Sequence, residues 1–315
     1  MEKWIAPTVA VASIAKRLGR VLAASTREYA PFIAENRIVG WIRPERAQRL
    51  AQWRDVFQRS ERGIELARGL ATPEARTTAL AVVARTLSGE GALTAWRDEP
   101  YAVSAHPNRA PLFELERSAA RYFGIHTFAA HANGVIGDDD RWQMWLARRS
   151  PTKAIDAGLL DNLVGGGIAA RSNAEATLVK EAWEEAGIAA ELASRARPAG
   201  SVDICRDQPD GLQRETIHVY DLWLPADCIP ANQDGEAVEH RLCAPDALLA
   251  VLASEDVTAD ASLVIVDFLI RSGHIPSDDP AFAALDALRH PPAFALRPDQ
   301  CGRRHTGHSP CPDIE

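Results

Sequence analysis

The 315-residue chain lacks a basic balance: its formal net charge is −8. Non-specific nucleic-acid binding needs a basic surface to displace counterions, so the charge argues against that class. It leaves room for a small anionic substrate, for which one basic pocket is enough. Long apolar runs are also missing, and no stretch approaches the ~18 residues of a membrane-spanning helix. Cysteine is sparse and unpaired: Cys205, Cys228, Cys243, Cys301 and Cys311 are scattered, with no CxxC pair. Neither a zinc site nor a disulfide framework is supported, and free thiols predict a reducing, cytoplasmic setting. No internal repeat is visible.

What is present is an ordinary globular composition, 46% hydrophobic and 25% charged, long enough for two domains. In the opening "MEKWIAPTVAVASIAKRLGRVL", Glu2 and Pro7 interrupt any signal-peptide pattern, and Ile14, Leu18, Val21 and Leu22 fit an amphipathic helix. Ile38, Val39 and Trp41 predict a strand, followed by a helix after Pro44. Residues 72–91 predict a helix with Thr72 as N-cap and Pro73 at its first position. Residues 110–124 predict another, ended by Gly124. From there the apolar period changes to two: 125–150 reads as a hairpin turning at Gly137–Asp140, and 214–225 as a further strand. The triplet Asp138–Asp140 reads as a solvated turn. His126 and His131, five apart on one strand, are expected to face opposite sides, one buried and one exposed. Residues 262–275 predict an apolar helix. The last segment, 291–315, lacks periodicity and is expected to be a disordered tail.

The stretch that asks for chemistry is "KEAWEEAGI", residues 180–188. It places Glu181, Glu184 and Glu185 within one and a half helical turns, and the positions four residues after each hold Glu185, Ile188 and Ala189 rather than a cation. Like charges so close are mutually destabilising. On the expected helix the three acids share one sector, opposite much of an apolar stripe of Leu178, Val179, Ala182, Trp183 and Ala186. A hard divalent cation such as Mg²⁺ would turn that repulsion into coordination. Just upstream, Gly165–Gly167 predict a loop whose backbone approaches metal and phosphate, and Asn173 or Ser172 an N-cap.

Gly166, Glu181, Ala182, Glu184, Glu185, Gly187 and Ile188 together resemble the Nudix box, G-x5-E-x7-R-E-U-x-E-E-x-G-U, at seven of its nine defined positions. The box's first Glu falls on Ser172 and its Arg on Lys180, so the pair that usually ties loop to helix is missing on both sides. The resemblance implies an α/β fold, the Nudix α/β/α sandwich with a mixed sheet, preceded by a smaller α+β domain. The boundaries expected are 1–123 for the accessory domain and 124–290 for the Nudix domain. It also implies hydrolysis of a phosphoric anhydride with Mg²⁺ or Mn²⁺. Carried over by position, Glu181, Glu184 and Glu185 are the metal ligands, with Glu184 and Glu185 also catalytic. Glu236, with Glu239 as a neighbour, is a candidate general base. Gly166 and Gly167 are expected to meet the substrate, as are Arg148, Arg149 and Lys153, which follow a predicted strand and suit phosphate.

Further stretches, "VGWI" (39–42), "WRDEPYAV" (96–103), "ERSAARYFGIHTFAAHANG" (116–134), "RRSPTK" (148–153), "LDNLVGGGI" (160–168), "NQDGEAVEH" (232–240) and "VIVDFLIRSGHI" (264–275), are similar to one Nudix subgroup. That subgroup carries an extra N-terminal domain and is similar to the Nudix portion fused to thiamine pyrophosphokinase in fungi, and to plant relatives. It implies hydrolysis of thiamine diphosphate analogues, especially damaged oxo and oxy forms, to the monophosphate plus phosphate. ADP-ribose, a dinucleotide or a coenzyme A derivative is the alternative substrate, and a Nudix-like binding module without turnover the alternative class. An isopentenyl diphosphate isomerase would need a Cys near the strand before the box, and none is there. Trp96 and Tyr101 offer aromatic faces for a heterocycle, against the plainer reading of core aromatics. The partner expected is a small diphosphate-linked molecule, with neither nucleic acid nor membrane; homodimerisation is left open.

Overall fold

The computed structural model describes residues 3–23, 28–104, 109–138 and 141–291. The expected tail therefore lies outside the described residues except for its first position, as do Asp139 and Asp140 of the turn. In chain order the elements are α1 (Thr8–Val21), β1 (Ala30–Ala34), β2 (Arg37–Ile42), α2 (Pro44–Leu50), β3 (Phe57–Ser60), β4 (Gly63–Leu66), α3 (Pro73–Gly89), β5 (Pro100–Val103) and β6 (Phe113–Glu116). A 3-10 turn (Arg117–Ala119) leads into α4 (Ala120–Phe123). Then follow β7 (His126–Gly137), β8 (Trp142–Arg149), β9 (Leu160–Asn162), β10 (Val164–Gly167), α5 (Ala174–Ala186), α6 (Ala190–Ala193), β11 (Arg197–Gln208), β12 (Gly211–Leu224) and β13 (Ala237–Cys243). The last helices are α7 (Pro245–Ala253), α8 (Ala259–Arg271) and α9 (Phe282–Arg289). Among the described residues no helix is long and apolar enough to cross a membrane.

The accessory part is α+β. Its four-stranded sheet runs β2-β1-β4-β3, and β5 and β6 form a separate hairpin. Phe32, Phe57, Phe113 and Phe123 meet at its centre with Leu80, Val83 and Leu87 of α3. Thr72 caps α3 as expected, its hydroxyl accepting from the Ala75 amide at 3.2 Å. The single helix expected over 110–124 is not formed. Phe113–Glu116 pairs with Pro100–Val103 as a strand, burying Phe113 and Leu115, and only the last turn is helical. Cross-strand pairing overrides a helix propensity that was only local.

The second part is a mixed sheet in the order β11-β12-β7-β8-β13, with β10 on β7 and β9 on β8; β12 and β7 run parallel. Period two on β7 builds both layers. Its even positions Ala130, Ala132 and Ile136 lie under α5 with Leu178 and Ala182. On the opposite face, Ala129 meets Leu263 and Val264 of α8, and Val135 joins Leu248 of α7 and Ile265 of α8. Helix α1, on the accessory side of the expected boundary, adds Val11, Ile14 and Leu18 to that same cluster. Its Arg17 guanidinium donates to the Val257 carbonyl and to Ser262 Oγ.

Gly124 joins the two parts. It ends α4 at φ 56°, where glycine is favoured, and a Cβ there would lie 2.1 Å from the Trp41 carbonyl oxygen. That obstacle is backbone and cannot swing aside. Gly124→Ala is therefore expected to cost on the order of 2–4 kcal/mol, read as a lowered urea midpoint.

His126 and His131 do face opposite sides of β7, but His126 is partly buried rather than exposed, stacked on Phe128 and bonded to Thr216 Oγ1 at 3.0 Å. Burial, helped by Arg214, pushes its pKa down from 6.5 to about 4. Between those values the unfolded chain binds a proton that the folded chain refuses. Stability is thus full above pH 6.5, falls as the pH drops towards 4, and levels below it, a loss of at most roughly 3 kcal/mol. Urea titrations at pH 7 and pH 5 should show the fall, and His126→Gln should make it shallower.

Candidate active site

Helix α5 positions the acids. Asn173 Oδ1 accepts from the Ala176 amide at 2.9 Å, and Gly187, at φ 64°, closes the helix. Where the box would tie loop to helix by an ion pair, Ser172 Oγ contacts Thr177 Oγ1 at 3.1 Å. The acids do not share one solvent face. Glu185 turns inward, 9% exposed, and Trp183, expected in the apolar stripe, is 54% exposed. The Gly165 amide donates to Glu185 Oε2 at 2.9 Å. Burial, with the negative charge of Glu181 next, pushes the Glu185 carboxyl up to about 8. Glu181 is raised by burial as well, against the pull of Lys180.

The cation missing from the downstream positions is upstream. Lys180 Nζ lies 2.6 Å from Glu184 Oε2 and 3.2 Å from Glu181 Oε1. Lys180 stands four residues before Glu184, a side of the spacing that a search of following positions passes over.

Gly165–Gly167 are not a loop but the strand β10, paired with β7. Glycine is needed for close approach from both faces. A Cβ on Gly165 would lie 2.9 Å from the His131 ring, on Gly166 2.4 Å from Glu181 Cγ, and on Gly167 1.9 Å from Tyr101 Oη.

A cavity of about 490 Å³ opens between the two parts of the chain. Arg149, Lys153, Gly166, Gly167, Glu181, Glu184 and Glu236 all line it. The loop carrying Glu236 docks on the end of α5, the Gln233 amide donating to the Glu184 carbonyl at 2.8 Å and the Ala231 amide to Ala186 at 2.9 Å. The Glu236 carboxylate pairs with Lys153 and, at 2.9 Å, with Arg97 of the accessory domain. Burial lowers the pKa of Lys153, with the nearby Glu185 opposing. Arg149 holds Asp161 at 2.8 Å.

Arg148 is a correction. Neighbours on a strand point to opposite faces, and Arg148 points away from the cavity to Asp256 at 2.9 Å and Glu239 at 2.9 Å. Glu239 goes with it. Residues that sequence reasoning passed over are Arg97, Arg117, Asp156, Asp161 and Glu215, all on the cavity wall. Only the long-range fold brings them there, so no local signal marks them.

Comparison with known proteins gives the site its family. The NUDIX domain family matches residues 127–264, and a domain of unknown function (DUF4743) matches 11–127. The chain is 35% identical over 268 residues to "Nudix hydrolase 20, chloroplastic" of Arabidopsis thaliana, covering 82% of this chain and 72% of that protein. It is 37% identical over 261 residues to "Nudix hydrolase 24, chloroplastic" of the same plant, with the same coverage. The chain belongs to the Nudix hydrolase family. It is a hydrolase acting on phosphoric anhydrides. Among solved structures, the NUDIX domain of Shewanella oneidensis NrtR, complexed with ADP ribose, aligns with 47% of this chain and 90% of that one, at 15% identity and a TM-score of 0.38.

Nudix hydrolases generally use a divalent metal such as Mg²⁺ or Mn²⁺. Among the described residues no three His, Cys, Asp or Glu groups converge on an ion position as they stand, and Lys180 holds Glu181 and Glu184. The donor set nevertheless fits. Its oxygens are hard carboxylates, and Glu185 is a buried one with no cationic partner within ion-pair distance among the described residues. Lys180 is 59% exposed and free to swing out when a cation enters.

Proposed function

We propose that this Nudix hydrolase cleaves the diphosphate of thiamine diphosphate analogues, above all damaged oxo and oxy forms, to the monophosphate plus phosphate. Glu181, Glu184 and Glu185 would hold the divalent cation, with Gly165–Gly166 backbone beside it. The observation that carries the reaction is Glu185, a buried carboxylate held by one amide, beside Glu181, which lines the cavity. The thiamine reading rests on the subgroup resemblance and is supported by the cavity's mixed charge. Arg97, Arg149 and Lys153 suit the diphosphate, and Asp156, Glu215 and Asp260 at other parts of the wall suit a cationic or amino-bearing heterocycle. The scattered thiols, three of them free among the described residues, support a cytoplasmic setting.

When bound, the cation would gather the phosphate oxygens, offset their charge and acidify the attacking water. The chain's own residues do the rest. Lys153 and Arg149 orient the terminal phosphate. Glu236 takes the water's proton at its carboxylate once the substrate draws Lys153 away. The water oxygen bonds to the terminal phosphorus, the bridging P–O bond breaks, and the proton passes to the departing monophosphate.

Incubation with Mg²⁺ and oxythiamine diphosphate, thiamine diphosphate, ADP-ribose or NADH, with monophosphate and phosphate measured, decides. Preference for a thiamine form is expected. Turnover of ADP-ribose or NADH alone would overturn the thiamine reading.

A further inference from the structure

The accessory domain reaches the same cavity through Tyr101 on β5. Tyr101 is 6% exposed, with its ring in the accessory core and Arg117 5.8 Å from the ring centroid. Its hydroxyl lines the cavity and has no hydrogen-bond partner among the described residues. Oη is not sealed off by the surrounding protein, so a group in the cavity can reach it.

Its position is set from both sides. The Ala170 amide donates to the Pro100 carbonyl at 2.8 Å, which fastens the hairpin to the segment after β10. The phenol then rests on Gly167, where any Cβ would lie 1.9 Å from Oη. One residue earlier, the Cβ position of Gly166 faces Glu181 on the other side of the strand. Tyr101 and the α5 acids thus flank the end of β10 from opposite faces. Both nevertheless line the one cavity, so a substrate whose diphosphate lies by the acids has the hydroxyl within the same space for its remaining group.

That group is not phosphate. The negative charges of Glu215, Glu99 and Glu181 act on the phenol against Arg117, which is itself paired with Glu99 at 2.7 Å. Such a field repels phosphate oxygens and favours a neutral or cationic group. Burial also holds the phenol pKa well above its ordinary value, so the hydroxyl stays protonated and donates.

We propose that Tyr101 is a specificity-determining residue: its hydroxyl donates to an acceptor atom on the polar heterocyclic group that the diphosphate carries. The accessory domain is then part of the substrate pocket. The inference rests on the hydrolase reading but does not require thiamine.

Tyr101→Phe keeps the ring in the core and removes only the donor, so the ligand-free melting temperature should be unchanged. Calorimetry with Ca²⁺ replacing Mg²⁺, and steady-state kinetics with Mg²⁺, would use oxythiamine diphosphate, thiamine diphosphate, ADP-ribose and inorganic pyrophosphate. Every organic diphosphate that the parent binds should bind about tenfold more weakly to the variant, as loss of one buried hydrogen bond predicts. KM should rise by about the same factor with kcat within about twofold, and pyrophosphate binding should not change. Equal affinities for parent and variant, or an equal loss for pyrophosphate, would overturn the proposal. A parent that binds only ADP-ribose would overturn the thiamine reading while the variant's affinity for ADP-ribose still decides Tyr101. A parent that binds no organic diphosphate would overturn both.

Discussion

Glu185→Gln is expected to lower turnover by roughly a hundredfold or more while raising the melting temperature of the metal-free protein. The two effects have one cause. Glu185 is buried beside Glu181, and burial together with that neighbour already pushes its carboxyl up to about 8. Without a cation its charge is a burden, and an amide of the same shape removes the charge while its Oε1 still accepts from the Gly165 amide. With a cation the same charge becomes a ligand, and the amide is a poor substitute. Mg²⁺ should therefore stabilise the parent and leave the variant almost unmoved, because only a ligand bound to the folded state raises stability. Glu184→Gln should show the same loss of turnover with a smaller change in melting temperature, since Glu184 is 34% exposed. Phosphate release and thermal melts with and without Mg²⁺ check both variants. Rates close to the parent's in both would remove the α5 acids from the chemistry.

Gly166→Ala is expected to cost roughly ten- to a hundredfold in turnover while leaving the fold nearly as stable. The new Cβ would sit 2.4 Å from Glu181 Cγ and 2.5 Å from Cδ, so the side chain must move by about an ångström. Glu181 can move, because what the methyl meets is a side chain and not backbone. Its 15% exposure means that it moves into a crowded place, away from its partner acids. The contrast is with Gly124→Ala, whose methyl meets the Trp41 carbonyl and whose cost should fall on stability. A Gly166→Ala variant with parent-like rates would mean that Glu181 is not held where the reaction needs it.

Much of the fold was legible because its signals are local. The cap at Asn173, the apolar period of α5 and the αL glycine at 187 lie within one short segment, and so does the spacing from Gly166 to Glu185. The alternation along β7 and β12 marked the central sheet in the same way. What failed was non-local. The Gly165–Gly167 run reads as a loop by composition, yet it is a strand whose glycines admit His131, Glu181 and Tyr101, three residues far apart in sequence. Arg148 and Arg149 are alike in type, and only the strand's facing sends one to the cavity and the other to Asp256. The strand Phe113–Glu116 depended on a partner, Pro100–Val103, that is not contiguous with it in sequence. Lys180 was a lapse of direction rather than of distance. Its place four residues before Glu184 is visible in the sequence, and it explains how two of the three crowded acids, Glu181 and Glu184, are tolerated without a metal.

The most direct test of the central claim is a Mn²⁺ titration of the parent and of Glu185→Gln, with bound ion counted by electron paramagnetic resonance at a pH where both are folded. If the α5 acids form the cation site, the parent binds one Mn²⁺ per chain and releases Lys180, and the variant binds at least about tenfold more weakly. Equal Mn²⁺ binding by the two proteins would contradict it.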